Sequence, residues 1–272
     1  MDKPETQTAS LFVDADMAEG LVLPFAGGQA VVFSARSPDK PPPNEDAVAL
    51  LPYDERSGAL VIADGMGGTP AGQQASATAL AVLKETVAAA ALDDVALRAA
   101  ILNGIEEANH QIARLGVGAG TTLAVVEIQD GAARAYHVGD SMILVTGQRG
   151  RVKLRTISHS PVGYAVEAGF LDEVEAMHHD DRHLVCNMLG SAEMRVEIGS
   201  SLNLASRDTL VLASDGLFDN LHVDEIVERI RKGPLPRVAA SLAADCRRRM
   251  TQPQAGEPSK PDDLTFIVFR RN

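Results

Sequence analysis

The stretch Leu60-Val61-Ile62-Ala63-Asp64-Gly65-Met66-Gly67-Gly68 places a short aliphatic run directly before an acid and a set of glycines. A continuous apolar run of this length reads as a buried strand. The acid then sits at the strand end, where burying a carboxylate is costly unless something pairs with it. The pattern recurs along the chain. Leu210-Val211-Leu212-Ala213 runs into Ser214-Asp215-Gly216, and Asp262-Asp263-Leu264-Thr265 leads into Phe266-Ile267-Val268-Phe269. Asn44-Glu45-Asp46 and His137-Val138-Gly139-Asp140-Ser141 add further acids beside apolar segments. Acids that converge without matching Lys or Arg point to a bound cation, and hard oxygen ligands suit Mg²⁺ or Mn²⁺.

Working outward, strands are expected over 29–34, 47–51, 59–63, 121–128, 132–138, 142–145, 195–198, 209–213 and 265–270. Leu97, Ile101, Ile105, Ala108, Ile112 and Leu115 form one apolar stripe at helical spacing, so 95–115 reads as a helix with Asp93-Asp94 at its start. The Ala- and Leu-rich segment 72–91 reads as a second helix, and 223–231 and 236–250 as another pair. The loop Ser37-Pro38-Asp39-Lys40-Pro41-Pro42-Pro43 cannot enter a ladder. The order is strands, two helices, strands, two helices, strand. It implies an α+β fold, a four-layer α-β-β-α sandwich of two antiparallel sheets flanked by helix pairs. Residues 1–20 read as a tail and 21–272 as one domain.

With 45% hydrophobic residues the chain can bury a large core, and with 4% aromatics and no Trp that core is aliphatic. The net charge of −12 argues against nucleic acid as a partner, since such binding needs a basic footprint. Cys186 and Cys246 form no metal-ligand spacing and read as reduced thiols. No run of about 18 apolar residues suggests a membrane span. The polar start MDKPETQTAS lacks the pattern of a signal peptide, so a cytoplasmic protein is expected.

The motifs NEDA (44–47), DGMGG (64–68), AGQQAS (71–76), GTTL (120–123), HVGDS (137–141), SHSPV (158–162), SDGLFDNL (214–221) and DDLTFIV (262–268) occur in the order of one family. The chain resembles the bacterial metal-dependent protein phosphatases of type 2C over nearly its whole length. The resemblance implies hydrolysis of phosphoserine and phosphothreonine on phosphorylated protein substrates, opposed by a serine/threonine kinase, by a monomer. It implies two core Mn²⁺ or Mg²⁺ ions and a third, weaker one. By this carry-over Asp64 bridges both core ions, the Gly65 carbonyl ligates one, and Asp215 and Asp262 ligate the other. Asp46 holds metal-bound water, Asp140 and Asp215 serve the third ion, and a segment near 156–190 is a flap. Two cations roughly 3.5–4 Å apart can share a carboxylate and a water, and turn that water into a hydroxide that attacks phosphorus. Gly65, Gly67 and Gly68 permit the tight turn that frees a carbonyl.

Three departures bear on function. The family's Arg before NED, which contacts phosphate, is replaced by the proline loop, leaving Arg36 as the nearest candidate. A His common in or after DGxGG, the proposed general acid, is absent, with Met66 and Thr69 there instead. His137 and His159 are conceivable substitutes, although structural roles suit them better. GDSR reads GDSM at Met142, and the flap has Ser158 where an Asp is usual. His178-His179-Asp180-Asp181-Arg182-His183 reads as a solvated loop, Arg247-Arg248-Arg249 as an exposed charged face, and Asp263 as a supporting or surface acid. Two alternatives stand beside the main reading: a pseudophosphatase kept as a binding module, and a phosphatase of a sigma-factor regulatory phosphoprotein.

Overall fold

A computed structural model describes residues 8–66, 71–116 and 118–272. Gly67, Gly68 and Thr69 of the glycine turn lie outside the described residues. Strands β1 (Ser10–Val13), β2 (Leu21–Phe25), β3 (Gly28–Ala35), β4 (Asp46–Pro52) and β5 (Ser57–Met66) lead into helices α1 (Ala71–Asp93) and α2 (Leu97–Leu115). Then come β6 (Gly120–Thr121), β7 (Leu123–Gln129), β8 (Ala132–Val138), β9 (Met142–Thr146) and β10 (Val152–Arg155). Short helices α3 (Pro161–Glu167) and α4 (Glu173–Met177) precede β11 (Glu197–Ile198), β12 (Leu202–Asn203) and β13 (Thr209–Ala213). Helices α5 (Asp215–Phe218), α6 (Val223–Ile230) and α7 (Leu235–Thr251) and strand β14 (Leu264–Arg271) close the fold.

One sheet has the order β1-β4-β5-β7-β8-β11, with β6 on β5 and β12 on β8; the other runs β10-β9-β13-β14-β3-β2. Neighbours in both are antiparallel. The continuous apolar runs are explained by burial on both faces. Ala59, Val61 and Ala63 of β5 meet α1 and α2, while Leu60 and Ile62 meet the second sheet. In β13, Val211 and Ala213 pack in the layer holding α6 and α7, and Leu210 and Leu212 face the first sheet. Three apolar layers thus join four structural layers, as the sequence implies. Each fully buried Val, Leu or Ile contributes about 1.5–3 kcal/mol. Alanines on both sides of the α1 interface, Ala47, Ala49, Ala75 and Ala79 among them, let the helix approach the sheet closely. By length and composition α1 could cross a membrane, but its Leu80, Leu83 and Val87 are spent on this layer.

Three expectations give way. Residues 10–13, assigned to a tail, form an edge strand on β4, with Ser10 opposite Leu50 and Val13 opposite Ala47. Asp93 ends α1 rather than starting α2, and Asp94 takes φ +55° in the turn between them. The arginine triplet is not one exposed face. Arg249 is 4% exposed, Arg247 lies 5.1 Å over the Phe33 ring, and Arg248 pairs with Glu257 at 2.8 Å.

Candidate active site

The sheet ends named by the sequence meet at one edge of the sandwich. Asp46 and Asp64 are direct neighbours across the β4–β5 ladder. Asp215 opens α5 just after β13, and Asp262 precedes β14, the strand paired with β13. Ser214 ties the two sheets together there. Its hydroxyl donates to Asp46 Oδ2 at 2.7 Å and accepts from the Thr265 amide at 3.2 Å. Asp263 works from below. Its Oδ1 accepts from the Ser37 amide at 2.7 Å and its Oδ2 from the Glu45 amide at 2.9 Å. It is therefore a buried clamp on the proline loop and the NED turn, not a surface acid.

Two glycines set how closely the elements pack. A Cβ on Gly65 would lie 2.1 Å from the Gly72 carbonyl oxygen, so β5 and the start of α1 touch backbone to backbone. A Cβ on Gly216 would lie 1.9 Å from the Asp263 carbonyl oxygen, which fixes α5 against the β14 entry. Backbone atoms cannot swing aside as a side-chain end would, so neither position has room for alanine.

The electrostatics show a deficit of positive charge. Burial, then Asp263, pushes Asp46 up to about 7 despite the Ser214 hydrogen bond. Burial, then Asp46 and Asp215, holds Asp64 well above the usual carboxylate range. Burial raises Asp215 strongly as well, with Lys260 opposing and Asp262 and Asp219 adding to the rise. Burial and Asp219 lift Asp140 to about 6. Asp140 Oδ1 and Glu45 Oε1 are buried without a hydrogen-bond partner. Orphaned oxygens among repelling carboxylates are the donor set a hard divalent cation fits.

Two lysines, overlooked in the sequence, reach into this cluster. Lys40 Nζ lies 2.6 Å from Asp262 Oδ1 and 3.9 Å from Glu45 Oε2. Lys260 Nζ lies 2.5 Å from Asp215, 2.8 Å from Asp219 and 3.4 Å from Asp262. The expectation of acids without matching cations is thus corrected in part, because eight carboxylates still face two ammonium groups. Burial works against both lysine charges, and the neighbouring carboxylates overrule it and keep both firmly protonated. Arg36 instead pairs with Asp16 at 3.4 Å and makes no ion pair with the cluster. The signal for the lysines was proximity in sequence: Lys260 is two residues before Asp262, and Lys40 lies in the loop leading to NED.

Asp140, Asp215 and Asp219 also line a cavity of about 430 Å³ that extends to Ser158, Val162 and Met177 of the 156–190 segment. Met142, where the family has Arg, lines it too. Sequence and cavity converge here with relatives of known kind. The profile of protein phosphatase 2C matches residues 39–245. The chain belongs to the protein phosphatase 2C family. Protein phosphatase PhpP of Streptococcus pneumoniae is 34% identical over 184 residues, 64% of this chain and 74% of that one. The serine/threonine phosphatase of S. agalactiae superposes with TM-score 0.77 at 27% identity, covering 90% of this chain and all of that one. The catalytic domain of the serine/threonine protein phosphatase PstP, solved with two manganese ions, superposes with TM-score 0.67 at 25% identity over 89% of this chain and 96% of that one.

The histidines of this phosphatase stand apart from the carboxylates. His137 and His159 stack at 4.3 Å between ring centres, both buried. His159 Nδ1 accepts from the Gly139 amide at 3.1 Å and from Asn187 at 2.9 Å, leaving its proton on Nε2, 3.2 Å from Glu197. His137, His159 and Glu197 are close enough to ligate a metal, but binding at Nε2 would cost His159 its tautomer and both hydrogen bonds. Their arrangement fastens the Asp140 turn to the 156–190 segment. Within the stretch 178–183, Asp180–His183 form a short 3₁₀ turn with no buried residue, as its polar composition implies.

Proposed function

We propose that this protein phosphatase is a serine/threonine phosphatase that depends on Mn²⁺ or Mg²⁺. Asp64, Gly65, Asp215 and Asp262 would hold two core ions, with Asp46 beside them. The observation that carries this is the pairing of Asp46 and Asp64 on adjacent strands, both held up in pKa by burial and like charge. When bound, the ions supply Lewis acidity to a nucleophilic water and to the phosphoryl oxygens. In this reading Asp46, which accepts a hydrogen bond from Ser214, holds a proton from that water. Lys40, rather than Arg36, is the cation nearest the site on the loop before NED, and in this reading it contacts the substrate phosphate. The cavity under the flap receives the peptide around the phosphorylated residue. No histidine is placed to protonate a leaving alkoxide, so substrates with good leaving groups are favoured.

In this reading the protein acts in the cytoplasm on phosphorylated proteins, as a monomer and against a serine/threonine kinase. The core acids are intact, which disfavours the pseudophosphatase. The test is hydrolysis of p-nitrophenyl phosphate by metal-stripped protein with and without Mn²⁺, beside Asp64→Ala. Turnover that needs Mn²⁺ and is lost in the variant supports the reading. Absence of turnover by folded, Mn²⁺-loaded protein overturns it. A phosphoserine peptide should be cleaved far more slowly than the aryl ester; equal rates would remove the argument from the missing histidine.

A further inference from the structure

We infer that the cavity beside the acidic cluster selects phosphoproteins by the residue next to the phosphorylated one, taking an apolar side chain there and turning away an acidic one. This rests on the phosphatase reading above and names the substrate class of that site.

The cavity is continuous with the site. Asp140, Asp215 and Asp219 share it with a set of apolar side chains. A space of about 430 Å³ is roughly 7 Å across, the length of about two residues of extended chain. A peptide that brings its phosphoryl group to the acids therefore lays the side chain of an adjacent residue against the rest of the wall. A packing gap between the core and the 156–190 segment would not be lined by the acids of the site.

That wall is apolar and largely preformed. Met142, Phe218 and Leu221 belong to the buried layer that holds α6 and α7, and Val223 packs against it. Val162 and Met177 face the cavity from the 156–190 segment. Met142 lies opposite Ala213 in the β9–β13 ladder, so its position is set by the sheet. Val162 is set by the start of α3, where the Ser160 hydroxyl accepts from the Gly163 amide at 2.9 Å. A concave, mostly apolar surface with a few polar groups at one side is the usual form of a binding pocket. Methionine at two positions suits side chains of differing shape, because its thioether is flexible and polarizable.

Charge decides which neighbour the pocket refuses. Two arginines line it, and each is spent on the protein itself. Arg155 Nη1 lies 2.6 Å from Glu173 Oε1. Arg182 donates to the Met177 carbonyl and, at 3.2 Å, to the Ser259 carbonyl. Glu167 lines the same cavity and makes no ion pair among the described residues. An Asp or Glu beside the phosphorylated residue would thus meet apolar surface and further carboxylates, and burying a charge unpaired is costly. An apolar side chain meets no such cost and gains by leaving water.

The experiment measures kcat/KM of the full-length, Mn²⁺-loaded protein on phosphoserine peptides that carry Leu, Ala or Asp immediately before or after the phosphoserine. On at least one side Leu should exceed Ala on the order of 10-fold, with Asp lowest. Met177→Lys sets a cation on the wall and should lower the Leu-to-Asp ratio by about 5-fold, whereas Met177→Leu should keep it. The ratio compares two peptides on one enzyme, so a general loss of activity cancels. The wild-type series decides the matter even where Met177→Lys does not fold. Equal rates for all three residues on both sides, or a folded Met177→Lys with the wild-type ratio, would overturn the inference. The ester p-nitrophenyl phosphate has no neighbouring residue and separates the two readings. Its Mn²⁺-dependent turnover without any peptide preference sinks only the apolar selection. No Mn²⁺-dependent turnover of any substrate sinks the phosphatase reading as well.

Discussion

Two clusters of charge lie on either side of Asn220, and they are built on opposite principles. On one side, Arg249 spreads its guanidinium over the Asn220 carbonyl at 2.6 Å and both oxygens of Glu225 at 2.7 and 3.0 Å. A planar fork meets a carboxylate in the geometry that suits both. Burial tends to raise the Glu225 pKa, but the bond from Arg249 and the His222 amide overrule it and bring it below the ordinary value. On the other side, the Asn220 side chain clamps Lys260 beneath a group of carboxylates whose pKa values are raised. The first cluster is balanced in charge, although Arg249 Nε is buried without a hydrogen bond and lies 3.8 Å from Glu257. The second is short of positive charge and has orphaned oxygens. Direction of shift separates an ion pair that holds a fold from an arrangement that awaits a cation.

Neutralising one acid on each side should therefore have opposite effects on the metal-free protein. Asp64→Asn removes a charge that its neighbours repel, so the metal-free midpoint of thermal unfolding should rise. In the same variant Mn²⁺-dependent turnover should fall on the order of 10³-fold or more, the scale seen when a principal electrostatic group is lost from an active site. A fall in the midpoint would show that Asp64 is already paired. Arg249→Met gives the second-largest effect. It removes a bidentate charge-assisted contact from Glu225, which is 27% exposed, and should cost about 1.5–3 kcal/mol. Urea unfolding would measure it, and a loss below about 1 kcal/mol would mean that Glu225 finds water instead.

The pH dependence carries the same contrast. Asp46 and Asp140 have folded values raised to about 7 and about 6. Their contribution is present below the unfolded value near 4 and is lost as pH rises through those folded values. Glu225 is depressed, so its contribution is present above its unfolded value and is lost as pH falls through the folded one. The metal-free protein should thus lose thermal stability between about pH 4 and 7. Saturating Mn²⁺ should remove that decline, because bound ions favour the ionised acids. A metal-free midpoint that climbs over this range would contradict the raised values. Glu225→Gln should remove stability only above about pH 4.5.

Much of this was legible in the sequence, for a physical reason. Strands buried on both faces carry continuous apolar runs, so β4, β5, β13 and β14 announce themselves, and the acids at their ends come with them. Edge strands do not. β1 is only four residues long, and β2, although Leu21-Val22-Leu23-Pro24-Phe25 is apolar, holds a proline that argues against a strand and is largely exposed or half-buried. The arginine triplet misled because three adjacent charges on a helix point in different directions, and only Arg249 turns inward to Glu225. Lys260 was hidden because its partners Asp215 and Asp219 are more than forty positions away. The one local sign is Asp262 two residues on, which by itself does not single out a lysine in a loop. Ion pairs formed across a fold are what a linear pattern shows least.

The smallest expected effect concerns Lys40 and sharpens the contrast within the acidic cluster itself. Lys260 is clamped through its backbone, whereas Lys40 projects from a proline loop with 41% of its side chain exposed. An exposed pair of this kind contributes about 1 kcal/mol at most, so Lys40→Ala should leave folding unchanged. It should raise the KM for p-nitrophenyl phosphate by roughly 3- to 10-fold, a loss of about 1.4 kcal/mol at the upper end, with kcat changing less. The same substitution frees Asp262 Oδ1, so the Mn²⁺ concentration needed for half-maximal activity should fall. Arg36→Ala should change neither, because Arg36 is engaged with Asp16. The reverse result, with Arg36 governing KM and Lys40 silent, would return the phosphate contact to the arginine and show that the loop rearranges when substrate binds. The direction of the Mn²⁺ requirement makes this more than a test of charge loss. A lysine that only attracts phosphate would leave metal affinity untouched, whereas one that holds Asp262 must compete with the ion for that oxygen.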